Sequence, residues 1–134
     1  MQNKNAMTKT EYKRFDLKVT QANKTVSQSF ELDKNFVAVK GLMLASDRPE
    51  LLLVRGSQRI EINKDELFPD NYLSQMLMSG ISVPIDLRYH TLGSIDTGNK
   101  IVKMDFTDND AFGTVFAPYT VYLFLKCDKK DSND

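Results

Sequence analysis

The chain has one cysteine, one histidine and no tryptophan among its 134 residues, and these scarcities exclude much chemistry. A lone Cys127 closes no internal disulfide, which fits a reducing compartment or assembly there. Tetrahedral zinc takes three or four Cys, His or carboxylate ligands at close spacing, and a single Cys and a single His do not supply them. Nucleophilic catalysis needs a base beside its nucleophile, and His90 is the sole imidazole. Its position on an expected strand beside Arg88 reads as a surface or edge histidine. Six scattered glycines form no phosphate-cradling loop. No catalytic residue, no metal and no cofactor is expected.

Other absences limit partners and location. Eighteen basic and eighteen acidic side chains cancel, so no global field steers the chain toward nucleic acid. No apolar run approaches the roughly 18 residues that span a bilayer, so no transmembrane segment is expected. The N-terminus stays polar through Tyr12, unlike a secretory leader. The sequon Asn23-Lys24-Thr25 then reads as chance, and a cytoplasmic site of synthesis is expected.

What is present is alternation. Phe15, Leu17 and Val19 interleave with Asp16, Lys18 and Thr20, the period-2 signature of a half-buried strand. Val26 to Leu32 repeats it less cleanly. Phe36 to Ala45 is apolar at nearly every position, as in a strand covered on both faces. Leu51–Arg55 and Gln58–Asn63 read as a hairpin turning at Gly56-Ser57. Ile81 to Tyr89 alternates through Pro84, an edge or bulge signal. Val102, Met104 and Phe106 follow a turn ending at Gly98-Asn99. A last strand runs from about Pro118 to Cys127.

The period changes once. Tyr72, Leu73, Met76 and Leu77 recur at helical spacing between Pro69 and Gly80, which predicts a short helix near 70–79. The whole predicts an all-β fold: a two-sheet antiparallel sandwich, in its eight-stranded form a jelly roll, over residues 11–127. An immunoglobulin arrangement is disfavoured because the Cys–Trp–Cys pattern is missing. Residues 1–10 read as a polar, basic arm and 128–134 as a disordered tail.

Some features point toward partners. The last strand carries Tyr122 and Phe124 on the face that a monomeric sandwich would leave polar, and the 36–45 segment is two-faced as well. A loop or the short helix is one possible cover and a neighbouring subunit is the other. The pattern favours a homo-oligomer, with Phe36, Leu42, Leu44, Tyr122 and Phe124 as candidate interface residues. Lys4, Lys9, Lys13 and Arg14 mark the arm as a soluble tail or an electrostatic tether to a genome or neighbouring subunit. Asp105, Asp108, Asn109 and Asp110 form the densest acidic cluster. They read as a solvated turn in preference to a calcium loop, since the glycine and terminal Glu of that loop are missing. Carboxylate pairs for glycoside hydrolysis can be drawn from Glu61, Asp65, Glu66 and Asp86, but pattern alone does not pair them. Tyr72, Tyr89, Tyr119 and Tyr122 suit stacking on a sugar or base, and equally suit strands.

The short basic arm, about eight strands and two-faced segments such as Pro118-Tyr119-Thr120-Val121-Tyr122-Leu123-Phe124-Leu125 make the chain resemble the small single-jelly-roll proteins of icosahedral bacteriophage virions. These include vertex (penton) and minor capsid proteins. The resemblance implies a virion location, self-assembly with other capsid subunits, and an arm reaching under its neighbours. A carbohydrate- or receptor-binding β-sandwich of lectin or fibre-head type is the alternative, and a small carboxylate enzyme a third.

Overall fold

A computed structural model describes residues 8–68, 72–80, 82–84, 87–110 and 113–130. The long alternating segments form strands: β1 (Thr8–Val19), β2 (Thr25–Glu31), β3 (Phe36–Ser46), β4 (Gly56–Ile62), β7 (His90–Asp96), β8 (Ile101–Asp108) and β9 (Tyr119–Lys130). Two-residue pieces β5 (Asp65–Glu66) and β6 (Tyr72–Leu73) both pair with β4, at opposite ends of it, and act as one interrupted strand.

The sheets run β1-β9-β3-β7 and β2-β8-β4-β5. Pairing is antiparallel throughout, β1 with β9, β2 with β8, β3 with β7 and β4 with β5 and β6. This is a long hairpin of strand pairs. It is rolled so that β9 also meets β3 and β8 also meets β4. That wiring, with β5 and β6 counted as one, is an eight-stranded jelly roll.

The inner faces meet in a single core of Leu17, Phe36, Leu42, Leu44, Ile60, Ile62, Met104, Phe106, Leu123 and Leu125, each almost wholly buried. Cys127 is buried there too. Burial pushes its thiol pKa up to about 12, so it behaves as a small apolar side chain.

Four expectations differ from the structure. Leu51–Arg55 is not a hairpin arm but the end of helix α1 (Pro49–Arg55). Pro49 sits in its first turn, where the missing N–H costs nothing, and Glu50 complements the N-terminal dipole. The run Leu51-Leu52-Leu53-Val54 has no alternation to separate strand from helix. Conversely, the helix expected near 70–79 is one 3₁₀ turn, Ser74–Leu77, preceded by β6. The buried Ser74 hydroxyl bonds Gln58 Oε1, and Gln58 Nε2 bonds the Tyr72 carbonyl, which ties the segment to β4.

Residues 82–84 and 87–89 form turns, not the expected strand, with Leu87 N donating to Pro84 O and Arg88 Nε to Val83 O. The strand comes later, as β7. Finally, β1 begins at Thr8 and β9 ends at Lys130, so strand pairing reaches into the segments expected to be arm and tail.

Candidate functional site

The two outer faces differ in character. On the β2-β8-β4-β5 sheet, Arg59 of β4 pairs with Glu61 and also lies 3.5 Å from Glu66 and 3.7 Å from Asp105. Thr25 and Thr107 share a 2.9 Å hydrogen bond across β2 and β8. This face is polar and internally paired.

The β1-β9-β3-β7 sheet turns Tyr122 and Phe124 of β9 outward, level with Ala45 and Met43 of β3 and Asp16 and Arg14 of β1. Both aromatics are half-buried in the single chain. Their rings meet edge-on with centroids 6.5 Å apart. The Arg14 guanidinium lies 4.7 Å from the Tyr122 ring centroid while making two bonds to Asp16. The result is an apolar strip with one charged edge.

A second aromatic pair crosses this face. Tyr12 projects from β1 and Tyr89 precedes β7, at opposite edges of the sheet, yet their ring centroids are 5.5 Å apart. Gly41 permits the crossing. A Cβ there would lie 3.0 Å from the His90 carbonyl oxygen and 3.2 Å from the Tyr89 Cβ. Burial raises the Tyr89 pKa. Beside the pair lies a partly open cleft of about 260 Å³, edged by Tyr89, Lys40, Lys126 and Asp128.

The candidate interface residues separate into two groups. Phe36, Leu42 and Leu44 point into the core and are at most 1 % exposed, so they are not available to a neighbour. Alternation and two shifts of register in β3, near Val37 and Lys40, turn them inward. Tyr122 and Phe124 share the outer face.

Two of the basic residues, Lys13 and Arg14, are held within the sheet. Lys13 faces inward near Asp33 and the Phe36 ring, and Arg14 is paired with Asp16. Lys9 is an exposed strand residue opposite Lys129. Lys4 lies outside the described residues.

Pattern reading missed a buried polar centre at one end of the sandwich. Arg55 Nε and Nη2 each donate to Asp108 at 2.9 Å, and both side chains are essentially inaccessible. Asp108 also accepts from the Tyr119 hydroxyl at 2.6 Å and the Asn23 amide at 2.9 Å. Arg55 Nη1 reaches Asp110 and the Thr114 carbonyl, and the guanidinium lies 5.3 Å from the Phe116 ring centroid.

Burial alone would raise the Asp108 pKa, but the bonds from Arg55, Tyr119 and Asn23 outweigh it and hold the carboxyl below its ordinary value. Burial foremost, with the hydrogen bond to Asp108 and its charge, pushes the Tyr119 pKa well up against the opposing pull of Arg55. Thus one member of the acidic cluster, Asp108, is not solvated, whereas Asn109 and Asp110 are exposed as a solvated turn would have them. Asp108 ends β8 inside the protein, and among the described residues no group of three or more His, Cys, Asp and Glu is placed to hold a metal. No spacing in the sequence pairs Arg55 with Asp108, because 53 residues separate them.

His90 lies at the start of β7 with its ring 5.5 Å from that of Phe68. Among the described residues no helix is long and apolar enough to cross a membrane. The fold and outer faces thus define a jelly-roll β-sandwich with an apolar strip on one outer face. No protein-family profile, curated protein or solved structure matches the chain.

Proposed function

We propose that this chain is a structural subunit that self-assembles, of the kind that forms the vertex or a minor position of an icosahedral bacteriophage capsid. The observation that carries the reading is the contrast between the outer faces. One is polar and paired within itself, and the other displays Tyr122, Phe124, Met43 and Ala45. Contiguous apolar surface of this kind is characteristic of subunit contacts.

The jelly-roll wiring supports the virion part, since capsid subunits are among the uses of this fold. The fold alone does not carry function, so the face is the argument. Of the expected interface, Tyr122 and Phe124 remain; Phe36, Leu42 and Leu44 belong to the core.

Light scattering on a sizing column tests assembly. Discrete oligomers are expected at micromolar concentration, with Tyr122→Glu and Phe124→Lys shifting them toward monomer. A wild-type monomer throughout that range would remove the reading. For the virion part, flanking genes encoding other virion components are the expected observation, and unrelated metabolic genes on both sides would count against it.

A further inference from the structure

We infer that the cleft beside Tyr89 is a binding site for an acidic saccharide, a pyranose that carries a carboxylate. It is made by the outer face beyond Phe124, where Lys126 of β9 stands level with Tyr12 of β1 and Gly41 of β3. Gly41 puts no side chain on that row, so the floor of the cleft is backbone. Gly93, with φ of +77°, opens the β7 side, where a Cβ would meet nothing within 4 Å. Thr10 and Thr91 supply hydroxyls at the two edges.

The chemistry of the walls selects the ligand. A closed apolar cavity would suit a lipid or a drug-like molecule, but this cleft is partly open to solvent and mixed in polarity. Tyr89, braced by Tyr12 at 5.5 Å, offers an aromatic wall held before the ligand arrives. Such a wall suits the C–H face of a sugar ring, and bracing limits the entropy lost on binding. Hydroxyl groups need donors and acceptors at short range, which Asp128, Thr10 and Thr91 provide.

Charge then distinguishes acidic from neutral sugars. Lys40 lies 3.9 Å from Asp128, so those two largely offset each other. Lys126 adds a second ammonium to the same cleft, leaving one net positive charge among the three. A carboxylate on the sugar would complement it, and a charge-assisted bond is stronger than a neutral one.

The site does not rest on the assembly reading. It uses Lys126 and Tyr89, whereas assembly rests on Tyr122 and Phe124.

Saturation-transfer NMR and calorimetry on the full chain would test it, with oligouronate, neutral glucan of the same length, and acetate as probes. Oligouronate is expected to bind, glucan and acetate about tenfold or more weaker. Lys126→Gln should cost about tenfold for oligouronate and little for glucan, and should flatten the salt dependence of binding. Tyr89→Ala should abolish saturation transfer, and Thr91→Val, which leaves the aromatic wall in place, should weaken it. Wild-type protein that binds no oligouronate, or binds glucan or acetate equally well, would overturn the assignment. So would an unchanged affinity in Lys126→Gln. Sizing of the same variants separates the two proposals, because the cleft variants should keep the wild-type oligomeric state whether or not ligand binds.

Discussion

Arg55, the last residue of α1, and Asp108, the last residue of β8, face each other through two parallel hydrogen bonds of 2.9 Å in the closed end of the sandwich. The pair fastens the 20–24 turn, the helix end and the segment leading into β9. Asn109 N also donates to the Arg55 carbonyl, and Asp108 N to that of Lys24. An ion pair so enclosed contributes little net stability as a pair, but each partner without the other is costly.

Removing either partner should therefore be severe. Asp108→Ala and Arg55→Ala are each expected to cost about 3–5 kcal/mol in urea unfolding. Arg55→Met with Asp108→Leu should recover part of that loss, while leaving the Tyr119 hydroxyl and Asn23 amide without their acceptor at about 1–3 kcal/mol each. Adding Tyr119→Phe should recover more. Single substitutions that cost under about 1 kcal/mol would show that the pair is not the fastening we describe.

The same centre makes stability depend on pH at both extremes. The folded Asp108 carboxyl titrates below its ordinary value, so its contribution is complete above about pH 4 and is lost as pH falls through the depressed folded value. Tyr119 titrates above its ordinary value when folded, so its contribution holds below about pH 10 and is lost as pH rises further. Thermal melts across pH should show both falls, with Asp108→Asn flattening the acid limb and Tyr119→Phe the alkaline one. An unchanged acid limb in Asp108→Asn would contradict the first assignment.

Gly41→Ala should disturb the outer face without touching the core. The new methyl would press on the His90 carbonyl and Tyr89 Cβ, a case of overpacking worth about 1–3 kcal/mol. Contacts between the Tyr12 and Tyr89 rings in NMR spectra are expected to disappear, while those among Leu42, Leu125 and Met104 persist. Retention of the ring contacts would mean that Gly41 does not set the crossing.

Cys127 should resist alkylation in the folded protein. It is wholly buried and its thiol is held protonated up to about pH 12, so little thiolate is present at mildly alkaline pH. Thiol reagents are expected to react slowly with native protein and promptly once guanidinium unfolds it. Equal rates in the two conditions would place the thiol at the surface.

Leu42→Ala should cost about 2–5 kcal/mol in urea unfolding, the range for a truncated aliphatic side chain in a packed core. Tyr122→Ala should cost much less in a dissociated sample, because its ring is half in solvent. Similar losses at both positions would argue against the inward and outward roles given to them.

Residue order alone determined the β class, the inner row of the last strand and most strand positions. In β9, Tyr119, Val121, Leu123, Leu125 and Cys127 are buried while Thr120, Tyr122, Phe124 and Lys126 are not, as alternation predicts. A period of two is a local property of the extended backbone, so it is written in neighbouring residues. Where the chain has no such period, tertiary structure decided. Pro49–Arg55 became a helix because Leu51, Leu52 and Arg55 all find buried partners in that conformation. The 70–79 segment yielded to Gln58 and Ser74, whose buried polar atoms satisfy each other only with β6 in place.

The meetings of Arg55 with Asp108 and of Tyr12 with Tyr89 depend on strand order, and so do the inward turns of Phe36, Leu42 and Leu44. Residues 53 positions apart, or on opposite edges of a sheet, are brought together by the rolling of the hairpin. Such contacts are long-range consequences of topology, and no window of neighbouring residues contains them.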